Sequence, residues 1–196
     1  GLGRVGLCFA ACCAERDFQV IGVDVDRRKL ELIGRGEAPF YEPGLQPLLK
    51  RIINEEKLEL TSSAHEALER SEISFITVGT PPRSDGSADL SQVKNACEAI
   101  GEALMEKRSW HLVVVRSTVP PGTTGGLVKE TLERVSGLKA GQDFGLCMNP
   151  EFLSEGDAIR GIQEPDRIVI GEYDKRSGDV LQDFYKSFYG SNCPPI

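Results

Sequence analysis

Short apolar segments alternate along the chain with amphipathic stretches, and this alternation predicts an α/β fold. The apolar segments have the length of β-strands and lie at residues 20–23, 73–78, 112–115, 144–148 and 168–170, with residues 58–61 as a weaker candidate. Helical spacing of apolar residues occurs at 4–16, 26–35, 44–55, 64–70, 89–107, 124–136 and 175–188. The strand candidates lack a polar face, which is typical of strands covered on both sides. Because strands that alternate with helices are parallel, the pattern predicts one doubly wound parallel sheet.

Composition limits the class of partner. The chain has 196 residues, enough for one domain, with a net charge of -7 and a pI near 5.0. This acidity argues against nucleic acid or an anionic membrane as a partner, because phosphates are bound through clustered Lys and Arg. No apolar run approaches the roughly 20 residues of a membrane-spanning helix. A small molecule is therefore the expected ligand.

The six cysteines form no C-x-x-C pair, and only two histidines are present. This pattern argues against a zinc site and a disulfide framework. We expect no metal site, reduced thiols and a cytoplasmic location. His65 and His111 have no recognisable partner in the sequence, so we expect both at solvated or edge positions.

A glycine-rich segment at the start of the chain indicates a dinucleotide site. Gly1, Gly3 and Gly6 have the G-x-G-x-x-G spacing, and Asp24 closes the next strand candidate. In a Rossmann-type fold such glycines form the turn that receives a pyrophosphate, and the carboxylate binds the adenosine ribose. A plain glycine-rich turn is the alternative. Since the motif needs a strand before it, we expect that the first strand is missing and that the chain is a fragment.

Asp24 also bears on the choice of cofactor. Its carboxylate would repel a 2′-phosphate, which favours NAD over NADP. Arg27, Arg28 and Lys29 follow closely, and a nearby cation can accommodate that phosphate, so they weaken the argument.

Three polar loops follow strand candidates, at residues 79–82, 116–123 and 149–156. Ligands of open α/β sheets bind outside the carboxyl ends of the strands, where these loops are expected. Gly, Pro, Ser and Thr are also ordinary turn residues, so each loop alone indicates little. Three of them beside a dinucleotide motif favour a binding site.

The order and spacing of the motifs resemble those of a known family. The motifs are Gly1-Leu2-Gly3-Arg4-Val5-Gly6, Tyr41-Glu42-Pro43-Gly44-Leu45, Val78-Gly79-Thr80-Pro81, Asp85-Gly86-Ser87-Ala88-Asp89-Leu90, Ser117-Thr118-Val119-Pro120-Pro121-Gly122-Thr123, Asn149-Pro150-Glu151-Phe152-Leu153-Ser154-Glu155-Gly156 and Pro165-Asp166-Arg167-Ile168-Val169-Ile170-Gly171. Together they resemble the UDP-glucose/GDP-mannose dehydrogenases, NAD-dependent enzymes that oxidise the primary alcohol of a nucleotide sugar to a carboxylate. The resemblance implies that residues 1–196 are the N-terminal NAD-binding domain, truncated at both ends, with a central helix and a C-terminal domain outside the chain.

The resemblance also implies roles for individual residues. The implied cofactor contacts are Gly1, Gly3, Arg4, Val5, Asp24, Lys29, Thr80, Ser117, Thr118 and Glu155. Thr118 is similar to a residue that holds the catalytic water, and Glu151 to a carboxylate that assists thioester hydrolysis. The implied sugar-lining residues are Glu151, Phe152, Leu153, Ser154 and Glu155. Arg4 departs from the family, which usually has an aromatic residue there.

In similar enzymes a cysteine in a Gly-rich motif of the C-terminal domain attacks the aldehyde. Cys193 has no Gly-Gly before it and is not expected to be that nucleophile, so the fragment alone is expected to be inactive. UDP-glucose is the favoured substrate, with GDP-mannose and UDP-N-acetylmannosamine as alternatives. A non-catalytic NAD-binding module is the alternative of another class. The full-length protein is expected to be a homo-oligomer.

Overall fold

The computed structural model describes all 196 residues. Its six strands are β1 (Val20–Val23), β2 (Leu58–Thr61), β3 (Ile73–Ile76), β4 (Leu112–Val115), β5 (Gly145–Met148) and β6 (Gly171–Glu172). Its eight helices are α1 (Arg4–Glu15), α2 (Arg27–Gly34), α3 (Leu45–Asn54), α4 (Ala64–Glu69), α5 (Ser91–Glu106), α6 (Lys129–Ser136), α7 (Ala158–Gln163) and α8 (Lys175–Tyr189). A π-helical stretch, Thr124–Val128, leads into α6.

The strands form two hydrogen-bonded groups. β1 pairs with β2, and the second group has the order β3-β4-β5-β6. Every pair is parallel except that of β5 and β6. The predicted parallel α/β architecture is confirmed, with an antiparallel edge strand added. β1 and β3 share no ladder.

Helix α1 packs against both groups of strands. Its residues from Gly6 to Ala14 are all buried, so it has no solvent-facing stripe. The ring of Phe9 meets the ring of Phe75 on β3 edge to face at 4.9 Å. On the other side of the sheet, α5 and α6 cover β4, all four residues of which are buried. The carboxyl ends of the parallel strands are left free of helices, and the predicted loops lie there.

The secondary structure differs from the sequence prediction at two places. Residues 168–170 form no strand, because their backbone groups make hydrogen bonds to partners outside the sheet. Ile168 N donates to Pro195 O, and Val169 O accepts from Asn149 Nδ2. The chain joins the sheet only afterwards, as β6. Helix α7, which has six residues and no side-chain cap at its N-terminus, was also not predicted. No helix is long and apolar enough to cross a bilayer.

Candidate functional site

The glycine turn lies between the carboxyl ends of β1 and β3. Leu2 N donates to Asp24 Oδ2 at 2.7 Å, and Thr77 Oγ1 donates to Gly1 O at 2.7 Å. A Cβ on Gly6 would press against Gly1 O and lie 2.6 Å from Thr77 Oγ1, so only glycine fits this position. The space beside Gly3 is open to 4 Å. No side chain caps the first turn of α1, so its N–H groups can receive the oxygens of a pyrophosphate.

Asp24 is the buried carboxylate of this turn, with 7% of its surface exposed. Besides Leu2 N, its oxygens accept from Lys29 Nζ at 2.7 Å and from Asp26 N at 3.0 Å. Burial opposes ionisation, but these donors outweigh it and hold the pKa of Asp24 below its ordinary value. An ionised carboxylate here can accept from the hydroxyls of a ribose. The cradle of glycines and this carboxylate therefore fit NAD.

Hydrogen bonds from Thr80 and Ser117 connect the loops that follow β3 and β4. Thr80 Oγ1 donates to Thr118 O at 2.7 Å. Ser117 is buried, and its hydroxyl donates to Val78 O at 2.7 Å. That hydroxyl therefore already has a backbone acceptor, whereas Thr118 is exposed and free to contact a ligand.

The loop after β5 forms one wall of a cavity of about 300 Å³, whose other walls are α7, residues 164–168 and α8. Glu151, Phe152 and Leu153 of the predicted sugar-lining segment line it, whereas Ser154 and Glu155 do not. Glu151 Oε2 accepts from Leu153 N at 2.6 Å. The ring of Phe152 is half exposed and lies under the guanidinium of Arg167 at 4.6 Å.

A buried polar cluster holds the start of this loop. Asn149 Oδ1 accepts from Arg116 Nη1 and from the Tyr185 hydroxyl, and Asn149 Nδ2 donates to Val169 O. Burial raises the pKa of Tyr185 to about 12, so its hydroxyl keeps its proton as a donor. Arg116 lies over the ring of Phe9 at 4.4 Å, and its Nε has no hydrogen-bond partner. Asn149 thus fixes the loop to β4, α8 and the segment before β6.

A second buried cluster holds the end of the loop. Glu42, whose side chain is completely buried, accepts from Gly156 N at 3.1 Å and from Ala158 N at 2.9 Å. Arg4 Nη1 donates to the same carboxylate at 3.0 Å, and Arg4 Nε lies 3.5 Å from Glu155. Burial alone would raise the pKa of Glu42, but these donors hold it below its ordinary value.

None of the buried cysteines is a candidate nucleophile. Burial raises the pKa of Cys8, Cys13, Cys97 and Cys147 to about 12, and that of Cys12 also rises. A thiol with such a pKa is not ionised near neutral pH.

The histidines differ in their surroundings. His65 is exposed on α4, as expected. The expectation for His111 is wrong: it is fully buried just before β4, between Ser71 and Ser74.

The structure brings most predicted site residues to one edge of the sheet. The cofactor set of Gly1, Gly3, Arg4, Val5, Asp24, Lys29, Thr80, Ser117, Thr118 and Glu155 follows or adjoins the carboxyl ends of β1, β3, β4 and β5. Thr118, however, does not line the cavity that contains Glu151. Sequence reasoning missed the roles of Glu42, Arg116 and Tyr185.

Comparison with known proteins agrees with this geometry. The sequence model of the UDP-glucose/GDP-mannose dehydrogenase family, NAD binding domain, matches residues 1–189. A GDP-mannose 6-dehydrogenase of Pseudomonas syringae pv. syringae is 46% identical over 186 residues, which are 95% of this chain and 42% of that protein. The chain therefore spans less than half the length of this curated relative.

Solved structures show the same relationship. A GDP-mannose dehydrogenase from Pseudomonas aeruginosa, in a ternary complex, matches 100% of this chain and 44% of its own, with a TM-score of 0.94 and 44% identity. A UDP-glucose dehydrogenase from the archaeon Pyrobaculum islandicum matches 100% of this chain and 44% of its own, with a TM-score of 0.90 and 42% identity. The chain belongs to the UDP-glucose/GDP-mannose dehydrogenase family, as its NAD binding domain.

Proposed function

We propose that the protein containing this domain uses NAD to oxidise the primary alcohol of a nucleotide sugar to a carboxylate. The observation that carries this proposal is the shared edge of the sheet, where the glycine turn, which bonds to Asp24, is joined to the loop of Glu151 through Arg4 and Glu42. NAD, when bound, accepts the hydride that each oxidation releases.

The residues of this chain have separate tasks in the proposed reaction. The first turn of α1 binds the pyrophosphate, and Asp24 orients the ribose. Glu151 takes a proton from the water that hydrolyses the thioester, a role for which a carboxylate in a partly closed cavity is suited. Thr118, exposed at the end of β4 but outside the cavity of Glu151, is the residue to which the resemblance assigns the orientation of that water through its hydroxyl. These residue roles are carried over from the family resemblance.

For the sugar, we propose GDP-mannose first and UDP-glucose second. The sequence analysis favoured UDP-glucose, but the relatives named for GDP-mannose are 46% and 44% identical, against 42% for the solved UDP-glucose enzyme. These identities differ by only a few per cent, so the test includes GDP-mannose and UDP-glucose, together with UDP-N-acetylmannosamine.

The test measures NADH formation by the full-length protein with GDP-mannose, UDP-glucose and UDP-N-acetylmannosamine in turn. We expect GDP-mannose to give the highest kcat/KM, with two NADH formed for each sugar, since an alcohol becomes an acid in two oxidations. NAD binding without turnover of any of these sugars would refute the proposed reaction and leave a binding module.

A further inference from the structure

Most residues of the loop that carries Glu151 face solvent, and Leu153 packs against the hydrophobic core. Phe152, Ser154 and Glu155 are exposed, and the Glu151 carboxylate bonds to Leu153 N within the same loop. A loop of this kind takes its position from the residues that hold its two ends. Asn149 holds the first end through the cluster with Arg116 described above.

Glu42 holds the second end. Its Oε1 accepts from Ala158 N, the first N–H of α7, and its Oε2 accepts from Gly156 N. The N-cap residue of α7, Asp157, makes no capping bond, because its carboxylate is paired with Arg160. Glu42, more than 110 residues away in the sequence, therefore supplies the cap that α7 lacks.

Arg4 connects Glu42 to the glycine turn. It is the first residue of α1, immediately after Gly3 in the glycine turn. Its guanidinium donates to Glu42 and to Tyr41 O, and it lies over the ring of Phe40 at 4.9 Å. One buried carboxylate is thus bonded both to the first turn of α1 and to the end of the loop of Glu151.

We propose that Glu42 is a positioning residue, which holds the Glu151 loop in register with the glycine turn through Arg4. This inference rests on the proposed function. Without the carboxylate, the loop would sample positions in which Glu151 cannot reach its water, and a misplacement of about 1 Å can slow a reaction by up to about 100-fold. The glycine turn itself would keep its shape, so NAD binding would be preserved.

The experiment compares Glu42→Gln with the matched control Glu37→Gln in the full-length protein. Gln has nearly the volume of Glu but replaces one acceptor oxygen by an NH₂ group, which cannot accept from Gly156 or Ala158. Glu37 is an exposed carboxylate that pairs with Arg35 at the surface. Three quantities are measured: the hydrogen-exchange rate of residues 150–158 without ligands, kcat, and the KM for NAD.

We expect Glu42→Gln to raise the exchange rate of residues 150–158 by about tenfold and to lower kcat by about tenfold. The KM for NAD should stay within about twofold of the unmutated value. Glu42→Asp should restore part of kcat, and Glu37→Gln should change none of the three quantities. Unchanged exchange and unchanged kcat in Glu42→Gln would overturn the proposal.

Two further outcomes are also decisive. If Glu42→Gln loses protection throughout β4 and β5, the domain has unfolded, and Glu42→Asp decides: a fall in kcat without loss of NAD binding supports the proposal, and any other result overturns it. If the unmutated protein oxidises no nucleotide sugar, the proposed function fails. The exchange measurement then still supports or overturns the anchoring of the loop by Glu42.

Discussion

Protonation of a buried histidine should make this domain sensitive to mild acid. His111 is fully buried, with Nδ1 3.0 Å from Ser71 O and Nε2 2.8 Å from Ser74 Oγ. A carbonyl oxygen only accepts, so Nδ1 carries the proton and Nε2 accepts from the serine hydroxyl. Burial, assisted by the charge of Lys107, lowers the pKa of His111 from 6.5 to about 4.

The direction of the effect follows from linkage. As the pH falls below 6.5, the unfolded chain gains a proton on His111 that the folded chain does not take up until about pH 4. The stabilising contribution is therefore complete above pH 6.5 and is lost as the pH falls from there toward 4. At 1.36 kcal/mol per pKa unit, the free energy of unfolding should fall by about 2 kcal/mol between roughly pH 7 and pH 5.

Native-state hydrogen exchange of the β4 amides, corrected for intrinsic exchange rates, measures this free energy at both pH values. His111→Gln should be less stable at neutral pH, yet lose the dependence between the two pH values. His65→Gln, at the exposed histidine, should keep it. An equal opening free energy at both pH values in the unmutated protein would refute the reasoning.

Three substitutions test the site itself. Asp24→Ala should bring kcat/KM for NAD and NADP closer together, because the repelling carboxylate is gone; equal efficiency before mutation would contradict this. Glu151→Gln should lower kcat by about 100-fold as the base is removed, and mass spectrometry should detect accumulated thioester; unchanged turnover would exclude Glu151 from the mechanism. Gly6→Ala should abolish the rise in Tm on adding NAD, because its Cβ would collide with Gly1 O; a retained rise would show that the turn tolerates a side chain.

The sequence predicted those elements whose hydrophobic pattern is local and strong. Strands β1, β3, β4 and β5 and the long helices lie within a few residues of their predicted positions, because each forms a clear apolar run or an amphipathic period. Residues 168–170 have the same apolar character, but the tail residue Pro195 and the Asn149 side chain take their backbone groups. A local hydrophobic pattern cannot predict such hydrogen bonds to residues that are distant in the sequence.

In the candidate site, too, residues set by local spacing were predictable from the sequence, and residues set by distant contacts were not. Asp24 and the glycines were predictable, because their spacing is fixed by one turn and one strand. Glu42 was not, because its partners Gly156 and Ala158 lie on another segment and are bonded through backbone N–H groups, which any residue except proline carries. The polar residue at the end of β4, Arg116, was the one available signal for the cluster around Asn149.

The burial of α1 on every side governs the chemical ageing of the domain. Cys8, Cys12 and Cys13 lie on this helix, and Cys97 and Cys147 are equally enclosed, whereas Cys193 is only half buried. Oxidants and electrophiles react with the thiolate of an accessible cysteine, so the five enclosed thiols are protected as long as the domain stays closed. Their oxidation is coupled to opening of the core, and damage to these sulfurs would therefore mark molecules whose core has already opened at least once.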